Sequence, residues 1–185
     1  MTATNSLVLA LVSLSAISVP FAVVWVIILR RRKREEMING ELRYQAAKYA
    51  GWDDDNLAAG DWPPLDQVAN GLRAELDRLL SRLDALKEQF HLIGVTDEDA
   101  LFSYCESRLG LATEEAFRGT FRRAEWIDTI SVLFTEISEL AARFEESKIG
   151  RDLRQWAVEM HTWSGVLTLY SSDLATLPHE KDDKA

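Results

Sequence analysis

Residues 65–93 read LDQVANGLRAELDRLLSRLDALKEQFHLI. Apolar side chains stand at Leu65, Val68, Leu72, Leu76, Leu79, Leu83, Leu86, Phe90 and Ile93, in steps of three and four. That period lays them along one side of an α-helix, with Arg, Asp and Glu on the others. Sustained over four heptads it is a coiled-coil-like seam, and an apolar stripe of that length needs a covering partner. No alternating run of useful length appears elsewhere, and β-branched residues are sparse. The chain is expected to be all-α.

Toward the C-terminus, Gly94-Val95 stops this helix, and Thr96-Asp-Glu-Asp99 reads as an N-cap with acids in the first turn, where the helix dipole favours them. A short helix is expected over 97–109, ending at Gly110-Leu111, with Thr113-Glu-Glu115 opening the next. That helix is expected to reach Lys148, presenting Phe117, Phe121, Ala124, Ile127, Ile130, Phe134, Ile137, Ala141 and Phe144, with Gly150 as the interruption. The last helix carries Leu153, Trp156, Met160, Trp163, Leu167, Tyr170, Leu174 and Leu177, and Pro178 closes it. Residues 65–178 are therefore expected to form an antiparallel three- to four-helix bundle, three long helices with the short one bridging an end. Residues 179–185 read as a disordered polar tail.

Toward the N-terminus, residues 51–64 hold Gly51, Gly60, Pro63 and Pro64 with the acids Asp53, Asp54, Asp55 and Asp61. They read as a loop. Residues 30–50 read as a basic collar and a moderately amphipathic helix with Ile38, Leu42, Ala46 and Tyr49 near one face. Before them, residues 7–29 are uncharged and apolar; 23 residues in a helix rise about 34 Å, enough to cross a hydrocarbon core. Arg30, Arg31, Arg32, Lys33 and Arg34 follow directly, whereas residues 1–6 carry no charged side chain. The positive-inside rule then places the N-terminus outside and everything after residue 30 in the cytoplasm. A cleaved signal peptide would carry its cations before the apolar stretch. The expectation is a single-pass protein of the inner (plasma) membrane of a bacterial cell, its collar against anionic headgroups. Ser18 and Ala22 form a small-xxx-small pair compatible with a homo-oligomer, and Pro20 is expected to bend the span.

The formal net charge is −9, but from Met37 onward 16 basic residues face 28 acidic ones. An acidic domain lacking a cationic surface argues against nucleic acid as a partner. The single cysteine, Cys105, excludes an internal disulfide framework and reads as a buried structural thiol.

Few constellations carry chemistry. Glu88-Gln-Phe-His91 is half of a di-iron carboxylate motif, but His161 has Val158 three residues before it, so the second half is missing. Asp53-Asp54-Asp55 invites calcium, yet the sixth position of such a loop is Ala58 and the twelfth Pro64, where Gly and Glu are needed. The Trp156, Met160 and Trp163 stripe has core spacing. No phosphate loop, H-E-x-x-H or G-x-S-x-G is present. No catalytic residue, cofactor or metal is therefore assigned. Trp52 and Trp62, flanking the acids, are either packed on the bundle or hot-spot contacts for a partner. Pro63-Pro64 favours packing for Trp62, and Trp52 with Asp53, Asp54 and Asp55 is the stronger contact candidate. The leading expectation is a non-enzymatic membrane protein whose cytoplasmic bundle recruits or scaffolds proteins, as a subunit of a membrane complex. A membrane effector or regulator of stress or phage-defence type, signalling through bundle rearrangement, is the alternative; a bundle metalloenzyme is the third.

Overall fold

The seam at 65–93 does become one helix. In the computed structural model, which describes residues 30–58 and 61–178, α3 spans Leu65–Leu92 over 28 residues. Val68, Leu72, Leu76, Leu79, Leu83, Leu86 and Phe90 are buried along it. The ends of the seam fray outward: Leu65 is half-buried and Ile93 is 50% exposed. Before it come α1, helical over 30–49, and the short α2, Asp54–Ala58. After it come α4 (Asp99–Arg118), α5 (Arg123–Arg143) and α6 (Lys148–Leu174). Among the described residues every regular element is a helix, and none is long and apolar enough to cross a membrane. The apolar run 7–29 lies outside the described residues, as do the 1–6 segment and the 179–185 tail.

The chain divides into two units between Glu41 and Leu42. In the first, residues 30–41 are helical and exposed, with Met37 and Ile38 at 70% and 49% exposure. The second unit holds the bundle. α6 packs against α3, α4 and α5, and α3 packs against α4. Contacts between side chains fix the directions. Trp156 and Trp163 of α6 meet Leu79 and Leu72 of α3, so these helices are antiparallel. Phe90 meets Phe102 at 5.5 Å while Arg73 lies over Phe117 at 4.1 Å, so α3 and α4 are antiparallel too. The four helices alternate up and down, with Trp156, Trp163, Phe90 and Phe102 fully buried among leucines.

Two expected boundaries move. Gly110 does not end a helix: α4 runs through it for 20 residues, and Thr113, expected to open a helix, sits mid-helix with its hydroxyl donating to the Leu109 carbonyl at 2.9 Å. Burial of Leu109, Ala112, Thr113 and Ala116 outweighs the roughly 1 kcal/mol that an interior glycine costs. The real stop is Gly119, at φ +72, where Thr120 N–H donates to the Glu115 carbonyl at 2.9 Å and Gly119 N–H to Ala116 at 3.4 Å. A left-handed residue closed by this pair of bonds is a Schellman cap, which glycine enters without a Cβ penalty. The same pair closes α3 at Gly94. The shifted break also resets the register of α5. Its buried face is Trp126, Ile130, Leu133, Ile137 and Leu140, while Ile127, expected inside, is 48% exposed.

The last break moves as well. α5 ends at Arg143 and Ser147 caps α6, its hydroxyl accepting from Gly150 N–H at 3.1 Å. Gly150 thus lies in the first turn of α6 rather than in the interruption, and a Cβ there would meet the Phe144 carbonyl oxygen at 2.1 Å. α4 begins at Asp99 after Glu98 without a side-chain cap, so Thr96 does not cap it.

Candidate functional site

The segment expected to be a plain loop, 51–64, is partly folded and tied down. Asp53 accepts from Asn56 N–H at 2.9 Å and so starts α2. Asp54 accepts from the Tyr44 hydroxyl at 2.7 Å and pairs with Lys48 at 2.6 Å. The Lys48 bond, then the Tyr44 bond, hold the Asp54 carboxyl below its usual range. Asp55 is exposed. Two of the three aspartates therefore serve the local fold, which is the physical outcome of placing acids at a helix start and beside a lysine.

The exposure of the two tryptophans runs opposite to the expected order. Trp52 is half-buried, and its indole N–H donates to Gln67 Oε1 at 2.9 Å, fastening the segment to the first turn of α3. Trp62 is 51% exposed despite the adjoining prolines. Proline fixes the backbone direction at 63 and 64, but this does not supply a covering surface for the ring before it.

What holds the segment was less visible in the sequence. Ala46 and Ala47 are fully buried, and a Cβ at Gly71 would lie 2.5 Å from the Tyr49 carbonyl carbon and oxygen. The end of α1 thus lies backbone-to-backbone on α3, a contact that only glycine permits. On α6, Gly165 leaves room for Leu42. The Tyr49 hydroxyl is pushed above its usual range by burial, with Glu75 adding to it. The available signal was Gly71 itself, an interior glycine in a strongly amphipathic helix.

Beside this dock, Glu159 of α6 accepts from Arg78 at 2.8 Å, from Arg82, and from Gln155 at 2.8 Å. Burial favours the protonated carboxyl, but the bonds from Gln155, Arg78 and Arg82 outweigh it and hold Glu159 below its usual range.

The remaining candidates resolve as follows. His91 pairs with Asp99 at 2.7 Å across the α3–α4 turn, exposed, and Glu88 is exposed one turn earlier. Among the described residues no group of three His, Cys, Asp or Glu side chains is placed to share a metal ion. His161 lies against Phe134 with ring centroids 5.1 Å apart and the planes tilted by 56°. Cys105 is fully buried, and burial, with the nearby Glu136, pushes its thiol up to about 12. A thiol so protonated is a poor nucleophile at neutral pH. Trp156, Met160 and Trp163 are core. The collar side chains Arg30, Arg31, Arg32, Lys33 and Arg34 are exposed on a helix.

Compared with known proteins, the chain matches no family model, no curated protein and no solved structure.

Proposed function

We propose that this chain is a non-enzymatic, single-pass membrane protein whose cytoplasmic bundle recruits a protein partner, as one subunit of a membrane complex. The observation that carries it is Trp62: a large ring, 51% exposed, a few residues after the stretch that Trp52–Gln67 and Asp54–Lys48 fasten to the bundle. An exposed tryptophan is the residue type that dominates interface energies, because it buries much area for little conformational entropy. The uncharged run 7–29 and the cations at 30–34 support the anchor and its orientation.

The experiment is a detergent co-purification from cells carrying the tagged full chain. Trp62→Ala is expected to lose the co-purifying partner while the melting temperature stays within the change set by about 0.5 kcal/mol. Retention of the partner by this variant, with Asp55→Asn added, would remove the basis of the proposal. A cytoplasm-restricted reporter fused after Ala185 tests the orientation: activity is expected, and silence contradicts it.

The effector reading is favoured by one contact of its own. Tyr49 and Ala50 lie against Gly71 with no space for a methyl group, so movement of residues 42–49 is passed directly to α3.

A further inference from the structure

A cavity of about 680 Å³ lies between the first half of α3 and the second half of α4, with Leu177 and Pro178, just past α6, also bordering it. Sites for small molecules commonly measure about 300–1,000 Å³. Small residues make the room. Ala69 and Gly110 both line it, and a Cβ added at Gly110 would meet nothing within 4 Å. Leu76, Phe117 and Leu177 supply apolar wall, and the hydroxyl of Thr113 is committed to the Leu109 carbonyl.

Four charged side chains border the cavity, and three of them are compensated. Glu114 and Arg118 pair with each other at 3.5 Å. Asp66 stands in the first turn of α3, where free N–H groups and the helix dipole favour a carboxylate. Arg73 is left over. Its guanidinium lies over the Phe117 ring at 4.1 Å, and among the described residues no carboxylate pairs with it. Stacking occupies the face of a guanidinium and leaves the in-plane N–H groups free to donate. Asn70, one turn earlier on α3, brings an amide donor to the same cavity.

We propose that this α3–α4 cavity binds a small organic carboxylate with an apolar body. The carboxylate accepts a forked pair of hydrogen bonds from Arg73, with Asn70 beside it, and the body lies against Leu76, Phe117 and Leu177. Charge and surface together select this ligand. A cation would meet Arg73 and find only carboxylates that are already compensated. A bare inorganic anion would leave the apolar wall wet. A neutral apolar molecule would cover the guanidinium edge without offering an acceptor, which costs the hydrogen bonds that edge makes to water. The site shares no residue with the Trp62 surface, so it goes beyond the recruiting function and does not rest on it.

The test uses the full-length protein in nanodiscs of zwitterionic lipid, with empty nanodiscs as the blank for partitioning. The probe is para-(trifluoromethyl)phenylacetate, followed by fluorine NMR. With about 14 non-hydrogen atoms it is expected to bind with a Kd on the order of 1 mM. Arg73→Gln is expected to weaken binding about tenfold, by loss of the charge-assisted bonds. Gly110→Leu fills the cavity and is expected to abolish binding while the melting temperature rises, because leucine is the better helix former and the space is open. Loss of binding in that variant is then not loss of fold. Arg154→Gln removes a guanidinium that pairs with Glu145 away from the cavity, and should change binding less than about twofold. The primary amide of the probe is expected to bind at least about fivefold more weakly, and acetate to compete poorly. The proposal is overturned by equal binding of the amide, by acetate displacing the probe at equal concentration, or by unchanged binding in Arg73→Gln or Gly110→Leu. Absence of binding to the wild type at about 10 mM probe, ten times the expected Kd, overturns it as well.

Discussion

Along α3 and α6, Trp156 and Trp163 each reach across to a main-chain carbonyl of the facing helix, Leu79 at 2.8 Å and Leu72 at 3.0 Å. Leu76, Leu83, Leu153 and Met160 fill the same interface, all buried. Between α4 and α5, by contrast, lies a cleft bordered by Glu98, Leu101, Glu136, Glu139, Leu140 and Arg143, and Tyr104 and Val132 on these helices stand half in water. Both pairs are amphipathic and antiparallel, yet α3 and α6 pack closely whereas a cleft opens between α4 and α5. A helix carbonyl has a second lone pair beyond its i+4 bond, so a buried indole N–H is satisfied there without breaking the ladder, and it sets the register at two points one heptad apart. The carboxylates bordering the cleft have no such arrangement, and closing it would desolvate them. Trp126 shows the alternative within the core: it is buried like the other two, but its indole N–H finds no acceptor.

The comparison is broken most severely by removing a ring from the closed interface. Trp163→Ala is expected to destabilise the protein by about 3–5 kcal/mol in a denaturant titration, through lost burial and the cavity left behind. Trp163→Phe keeps most of the area and should cost about 1 kcal/mol for the lost hydrogen bond. A loss as large as that of alanine would mean that shape, rather than the bond, sets the register.

Gly71→Ala should come next, at about 1–3 kcal/mol, because the new methyl meets main-chain atoms of Tyr49 and Ala50 that have no side-chain freedom to yield. Hydrogen exchange across 42–58 should speed up selectively. Unchanged exchange there would show that the segment is not held by this contact. Gly119→Ala is expected to cost about 1 kcal/mol, the strain of placing a Cβ at a positive φ.

Acid should loosen the closed interface further. The Glu159 carboxyl is held below its ordinary 4.5 in the folded protein, so its contribution is fully present above that value and is lost as pH falls through the lowered one. Glu159→Gln should flatten that part of the stability–pH curve. A curve unchanged below about pH 4.5 would show that other carboxylates dominate acid unfolding. The smallest effect is expected on the exposed face of α5, where Val132→Ser should change stability by less than about 0.5 kcal/mol. A larger loss would mean that this face is covered.

The sequence carried the α3 and α6 seams almost residue for residue, since helical periodicity is a local property and the buried faces follow it from Val68 to Phe90 and from Leu153 to Leu174. It also carried the all-helical class, the burial of Cys105 and the acidic balance after residue 37. It did not distinguish Gly110 from Gly119. Both are glycines near apolar residues, and only the packing of Leu109, Ala112 and Ala116 into one continuous face decides that the first is spanned and the second is left-handed. Nor did it order the tryptophans, because whether an indole is covered depends on what lies opposite: Gln67 meets the Trp52 ring, whereas the Trp62 ring is 51% exposed. Local spacing thus determined which residues share a helix face, whereas long-range contacts decided where each helix ends and which faces close.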